Sequence, residues 1–327
     1  MPPVDRKNPV RAKSSDSRVS FMEFIQEYPD DDACLNFLWR TRYASDGDHA
    51  ECPRCEQERT FKKYETSQRR QSWTCTACGH HIHPTAGTIF HKSSTSLHLW
   101  FYAIYLMSST RNGLSAKQLE REIGVNYKTA HRMLRLIRAE LMAQDYQGKL
   151  SGTVEIDETF IGGKPRMAHQ RIQRAQGIEP YSPQSRAWHA KRKQTVFGMV
   201  ERDGQVHAQV VPDSRAATLR PKIGERVVLG SIVYTDESTS YTTLNREGYC
   251  HASVPHAQRI YVHGDVHTNT IEGFFALLKG GILGTYHSVS PQHLGKYLNE
   301  FVWRYNHRDD DAAQFRTLLS NAASPPV

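Results

Sequence analysis

A mixed α/β domain, preceded by a small metal-stapled module and a helical segment, is the fold class that this 327-residue sequence predicts. Three observations predict it. Two Cys-x-x-C pairs lie near the N-terminus, and the stretch after them carries apolar residues at helical spacing. Beyond residue 152 the pattern turns to alternating β-rich runs with turn signals between them, closed by two helical segments.

In chain order, residues 1–20 read as a disordered basic tail without the apolar core of a signal peptide. A module over 21–90 follows. Cys34, Phe37 and Leu38 sit at helical spacing, so a helix over Phe21 to about Arg42 leads into a ribbon over roughly 48–90. The ribbon is defined by Cys52-Pro-Arg-Cys55, nineteen further residues, and Cys75-Thr-Ala-Cys78. Each tight knuckle offers two thiolates, and a hairpin brings the pairs together around one tetrahedral Zn2+. Two disulfides are the alternative and need an oxidising compartment, which nothing in the sequence suggests. Such a zinc is structural: it folds a module too small to bury its own core. Cys34 and Cys250 are isolated thiols.

The segment 91–148 reads as helical. Thr95–Ser108 is apolar on most sides and predicts a buried helix. Within Leu114–Arg138, Ser115 caps a helix bearing Leu119 and Ile123, Gly124 breaks it, and a second helix starts near Asn126. That second helix turns Ala130, Met133, Leu134 and Ile137 inward and Tyr127, Lys128, His131, Arg132 and Arg135 outward. Helix, glycine turn and basic helix form the helix-turn-helix arrangement that enters a DNA major groove, although a basic helical hairpin of another kind looks similar.

Net charge is +8 and the isoelectric point about 9.1. The excess concentrates between Lys164 and Lys193, where eight Lys/Arg face one acid, Glu179. Its end, Lys191, Arg192 and Lys193, is a candidate phosphate contact; a solvated loop is the alternative. The longest apolar run, Leu99–Met107, has nine residues, too few to span a bilayer. The expectation is a reduced, soluble, cytoplasmic protein with double-stranded DNA as partner and no membrane contact.

The segment 149–310 predicts strands over Thr153–Ile161, Thr195–Glu201, Gln205–Val211 and Ser231–Thr235, with a hairpin turn at Asp203-Gly204. Ile260–Val262 is a shorter fifth candidate, and helices follow over Thr268–Lys279 and Pro291–Tyr305. This order fits a sheet of the ribonuclease-H kind, with 311–327 left as a C-terminal tail. Asp157 lies in the first strand and Asp236 ends a later one, where ligands of α/β sheets bind. Glu272 follows Asp236 after 35 residues, near the start of a helix. Carboxylates in such a set hold two Mg2+ ions, which clamp the attacking and leaving oxygens of a phosphodiester. Asn269-x-x-Glu272 is equally the pattern of a capping box. Lys279, two turns beyond Glu272, is placed to touch a phosphate. Glu158 and Glu237 point elsewhere on their strands, and His263, Asp265 and His267 form a further polar cluster.

These residues resemble a family. Cys52–Cys78, Thr85–Phe90, Trp100–Met107, Leu114–Ile137, Val154–Gly163, His267–Phe274, Gly284–Pro291 and Arg304–Asn306 are similar to bacterial DDE-type insertion-sequence transposases with an N-terminal zinc ribbon. The resemblance implies a ribonuclease-H-like core that cuts transposon ends and joins the 3′-hydroxyls to target DNA. By it Asp157 and Asp236 are the first two catalytic ligands, and the third is Glu272 or Asn269, followed by Lys279. A homodimer or larger assembly is expected, because two ends are joined in one event. The rival reading is a DNA-binding regulator with a decayed catalytic core.

Overall fold

Where the pattern predicts one helix between Phe21 and Arg42, the chain forms two, α1 (Phe21–Glu27) and α2 (Asp31–Arg42). The cause is local. Tyr28 precedes Pro29 and is held out of the helical region, at φ −128° and ψ 66°. The Asp30 side chain then accepts the Ala33 N–H and opens α2. This is a computed structural model that describes residues 19–65, 71–143, 148–162, 167–179, 182–190, 192–255, 264–308 and 314–324. The chain divides into two compact units, 1–144 with 307–327, and 145–306.

In the first unit, β1 (His49–Cys52), β2 (Gln57–Glu65), β3 (Gln71–Cys75) and β4 (His81–Ile82) form an antiparallel sheet in that order. Its small core is aromatic: Trp39 of α2 stacks on Trp73 with ring centroids 4.8 Å apart, and Phe61 packs beside them. Helix α3 (Leu97–Ser109) buries Trp100, Phe101, Ala103, Ile104 and Met107 completely. Next come α4 (Ala116–Ile123) and α5 (Tyr127–Leu136), punctuated as the sequence indicates. Ser115 accepts the Gln118 N–H, Gly124 turns the chain at φ +69°, and Asn126 accepts the Thr129 N–H. Residues 311–327, expected as a tail, contain the helix Gln314–Ala323, which buries Phe315, Leu318, Leu319 and Ala322. Those positions follow helical spacing, and the apolar stripe they form packs beside α3.

The second unit is built on a five-stranded sheet. In chain order its elements are β5 (Thr153–Gly162), α6 (Met167–Ala175), α7 (Pro183–Ala190), β6 (Lys193–Glu201), β7 (Val206–Val211), α8 (Ala216–Arg226), β8 (Ile232–Asp236), β9 (Cys250–Val254), α9 (Asn269–Gly284) and α10 (Leu294–Asn306). The strand order is β7-β6-β5-β8-β9. β5, β6 and β7 are antiparallel neighbours, and β8 and β9 run parallel to β5. One face carries Val154, Ile156, Phe197, Met199 and Val233 against Leu219 and Ile223 of α8. The other carries Ile161, Val196 and Val200 against Ile271, Phe274, Phe275 and Leu278 of α9.

Three features of this unit depart from the sequence pattern. The described fifth strand is Cys250–Val254, whose mixed polar composition hides its pairing; the candidate Ile260–Val262 lies outside the described residues. Helix α8 has no sequence counterpart, since Pro221 inside it reads as a helix breaker. Within the basic stretch after β5, the described residues include the helices α6 and α7, where buried Ser185 donates to buried Gln173. Among the described residues no helix is long and apolar enough to cross a membrane.

Candidate active site and metal centre

Cys52 ends β1 and Cys75 ends β3, so pairing both strands with β2 brings the two knuckles together. Cys52 and Cys78 sulfurs lie 3.6 Å apart, and those of Cys55 and Cys75 4.0 Å apart. A tetrahedral zinc with bonds of about 2.3 Å needs sulfurs separated by about 3.8 Å. A disulfide needs about 2.05 Å. The spacing therefore fits four thiolates around one ion, and all four ligand atoms lie within 4.8 Å of one another.

The acidic site is assembled differently. The parallel register sets Val154 beside Val233 and Glu155 beside Tyr234. Asp157 and Asp236 each lie two residues beyond the Glu155–Tyr234 pair, and alternation sets both on the face covered by α9. Asp236 accepts the Ser238 N–H at 2.9 Å, and Thr235 meets His251 Nε2 at 2.8 Å, so the end of β8 is held on both sides. Asp157 accepts the N–H of Glu158 at 2.8 Å.

The residue that docks α9 here is Glu155, two positions before Asp157 and fully buried. Its Oε2 accepts the N–H groups of Thr270 and Ile271 at 2.7 and 3.1 Å. Its Oε1 accepts Thr270 Oγ1 at 2.9 Å and Arg202 Nε at 2.7 Å, with His267 Nδ1 3.2 Å away. A carboxylate at the positive end of a helix dipole, paired with a guanidinium, satisfies donors that would otherwise be orphaned. Arg202 also donates to the carbonyls of Asp265 and His267 and lies over the Tyr234 ring, which stiffens the approach to the helix.

This arrangement corrects the capping reading of Asn269 and Glu272. Thr268 occupies the N-cap without a side-chain cap bond, Asn269 is the first helical residue, and Glu155 supplies the cap from the sheet. Glu272 accepts Thr268 Oγ1 at 3.0 Å and is otherwise directed to solvent with Asn269 on the same helical side. Close approach of α9 is allowed by Gly198, the register partner of Asp157 on β6. A Cβ there would come within 2.8 Å of Ile271 Cδ1 and 2.9 Å of the Phe275 ring.

Glu158 does face away from Asp157, as expected for the next strand residue, and is half-buried beside Tyr241. Burial pushes its carboxyl up to about 7, the Asp157 and Asp236 charges add to the rise, and the Tyr241 hydroxyl partly opposes it. Negative charge is thus crowded at this edge of the sheet.

Among the described residues, the four cysteines are the one set of three or more metal-binding side chains drawn within 4.8 Å. Asp157 and Asp236 are brought to one face, Glu272 and Asn269 stand at the start of the helix over that face, and Lys279 is exposed two turns later. Arg192 and Lys193 are exposed at the start of β6, with the Arg192 guanidinium 4.5 Å from the Trp188 ring; Lys191 lies outside the described residues. On α5, Tyr127, Lys128, Arg132 and Arg135 are exposed and His131 is half-buried. Glu155 escaped sequence reading, although its parity with Asp157 on an alternating strand marks it as facing the same way.

Residues 149–306 match the ISXO2-like transposase domain and residues 29–81 the transposase zinc-ribbon domain. An uncharacterized protein in transposable element ISH50 of Halobacterium salinarum is 31% identical over 277 residues, 83% of this chain and 90% of the relative. An uncharacterized transposase-like protein of Haemophilus influenzae is 32% identical over 105 residues, 32% of this chain and 84% of the relative. With a zinc-ribbon match, a four-thiolate site of zinc dimensions and a transposase domain over the sheet that bears the carboxylates, the chain belongs to the ISXO2-like transposase family.

Proposed function

We propose that the chain is a DDE-type DNA transposase that binds the terminal inverted repeats of its element, cleaves there and joins the ends to target DNA. What supports this reading is strand alternation, which sets Asp157 and Asp236 on the face covered by a helix whose first turn Glu155 ties to the same strand. The strand order supports a ribonuclease-H-like core.

The donor set fits hard divalent cations: the carboxylate oxygens of Asp157 and Asp236, with Glu272 as the third ligand and Asn269 its alternative. Asp157, Asp236 and Glu272, or Asn269 in its place, would hold such cations. When bound, such a Mg2+ pair activates the attacking oxygen and stabilises the leaving one. Asp157 and Asp236 orient the scissile phosphate from the sheet, and Glu272 closes the site from the helix. Lys279, Arg192 and Lys193 take flanking phosphates. The ribbon and the α4–α5 helix-turn-helix recognise the ends, with Tyr127, Lys128, His131, Arg132 and Arg135 facing DNA. Two ends require two sites, hence a homodimer or larger assembly, and free zinc thiolates suit the reducing cytoplasm.

The test is Mg2+-dependent cleavage and joining of DNA carrying the element's own terminal repeats. Asp157→Ala and Asp236→Ala should each lower the rate by about a thousand-fold or more, several kcal/mol of lost transition-state stabilisation. Glu272→Gln should fall comparably while Asn269→Ala loses about ten-fold or less; the reverse order makes Asn269 the ligand. End binding by a wild-type protein that neither cleaves nor joins would replace this reading with the regulator.

A further inference from the structure

A cavity of about 390 Å3 opens beyond the carboxylates, between the end of β5, the start of β6, the second half of α9 and the start of α10. Its walls include Phe160, Leu283 and Leu294, and its polar groups include Arg192, Lys279 and Gln194. Phe160 is 51% exposed and Leu283 47%, so large apolar surfaces face open space here. Among the described residues its lining holds no carboxylate. The Arg192 guanidinium is held at the rim by the Trp188 ring.

Two independent elements set its distance from the acidic site. Phe160 lies three residues past Asp157 on β5, about 10 Å at about 3.3 Å per residue. Lys279 lies seven residues past Glu272 on α9, again about 10 Å at about 1.5 Å per residue. The helix therefore runs beside the strand from Glu155 to the cavity, which lies about 10 Å along each element from the acidic residues.

We propose that this cavity receives one unstacked base of the DNA strand, Phe160 and Leu283 packing on its faces while Arg192 and Lys279 hold the adjoining phosphates. The inference rests on the transposase reading for its DNA substrate and adds the state of that DNA. The volume lies in the range of small-ligand pockets, roughly 300–1,000 Å3. An apolar, concave site with cations at its rim matches the flat apolar base and the anionic backbone of one nucleotide. A base inside a duplex cannot reach such a recess; it must first leave the stack, at a cost recovered by stacking on protein.

The test uses the full-length protein in magnesium-free buffer, with fluorescence anisotropy on two probes. One is a labelled twelve-residue oligo(dT), the other an abasic phosphodiester chain of the same length. Wild type should prefer the base-bearing probe by about five-fold or more, the scale of one stacking contact. Phe160→Ala and Leu283→Ser, both at exposed positions, should each cut that preference to less than about two-fold while leaving abasic binding unchanged. Lys279→Ala should weaken both probes alike. Equal wild-type binding of the two probes, or a preference that survives both apolar substitutions, overturns the proposal. Cleavage of repeat-bearing duplex is assayed in parallel. Base preference without cleavage sinks the transposase reading and leaves the pocket, whereas cleavage without base preference sinks the pocket alone.

Discussion

The cysteine site of the zinc ribbon and the candidate acidic site of the second unit are built on opposite plans. In the ribbon, all four ligands come from two knuckles within 27 residues, and their sulfurs converge to within 4.8 Å. The cysteines sit beside the small aromatic core of Trp39, Phe61 and Trp73. In the second unit, the candidate ligands come from β5, β8 and α9, spread over more than a hundred residues of sequence. The ribbon's ligands converge within one small module; the acidic residues are brought to one face by the fold of a whole sheet.

Removing zinc should break the comparison most visibly. Structural zinc contributes on the order of 10–16 kcal/mol in small modules. Chelation, or Cys75→Ser, should unfold the ribbon and abolish the near-ultraviolet circular dichroism of the stacked Trp39–Trp73 pair. The sheet of the second unit should keep its far-ultraviolet signal, and DNA-end binding should weaken. Retention of the tryptophan signal without zinc would place the ribbon on the same plan as the acidic site.

Glu155 sharpens the other half. Glu155→Ala leaves Arg202 Nε and two helix N–H groups without their acceptor, and breaking a buried pair costs about 3–5 kcal/mol. Glu155→Gln keeps one acceptor oxygen and should lose less stability. In both, cleavage should fall by about ten- to a hundred-fold, with an increased Mg2+ requirement, because the helix bearing Glu272 is no longer pinned. A stability loss with unchanged Mg2+ dependence would reduce Glu155 to a structural residue. Thermal unfolding and metal titration separate the two outcomes.

The smallest expected effect is at Gly198. Alanine there presses on Ile271 and Phe275, and overpacking of this kind costs about 1–3 kcal/mol. It should lift the start of α9 from Asp157 and lower cleavage by a few-fold, while zinc content stays at one ion per chain. A variant of unaltered stability and rate would show that α9 has room to shift.

The cysteine spacing, the Ser115, Gly124 and Asn126 punctuation and the main strands of the sheet were readable along the chain, because each rests on neighbours a few residues apart. The helix Gln314–Ala323 was not, since its apolar stripe makes sense only against α3. Strand β9 was missed because Cys250–Val254 lacks clean alternation, and α8 because Pro221 interrupts its pattern.

The candidate site divides in the same way. Sequence alone nominated Asp157, Asp236, Glu272 and the four cysteines, since residue type and spacing name them. Whether Asn269 and Glu272 cap their own helix was decided by the tertiary structure, in which a buried carboxylate 115 residues away from Thr270 takes the exposed N–H groups instead. The physical reason is that a helix end is satisfied by whichever acceptor the fold brings to it, and local spacing carries no record of that acceptor. Knuckles close a metal site within one hairpin, whereas Asp157, Asp236 and the start of α9 are placed by strand register and helix docking.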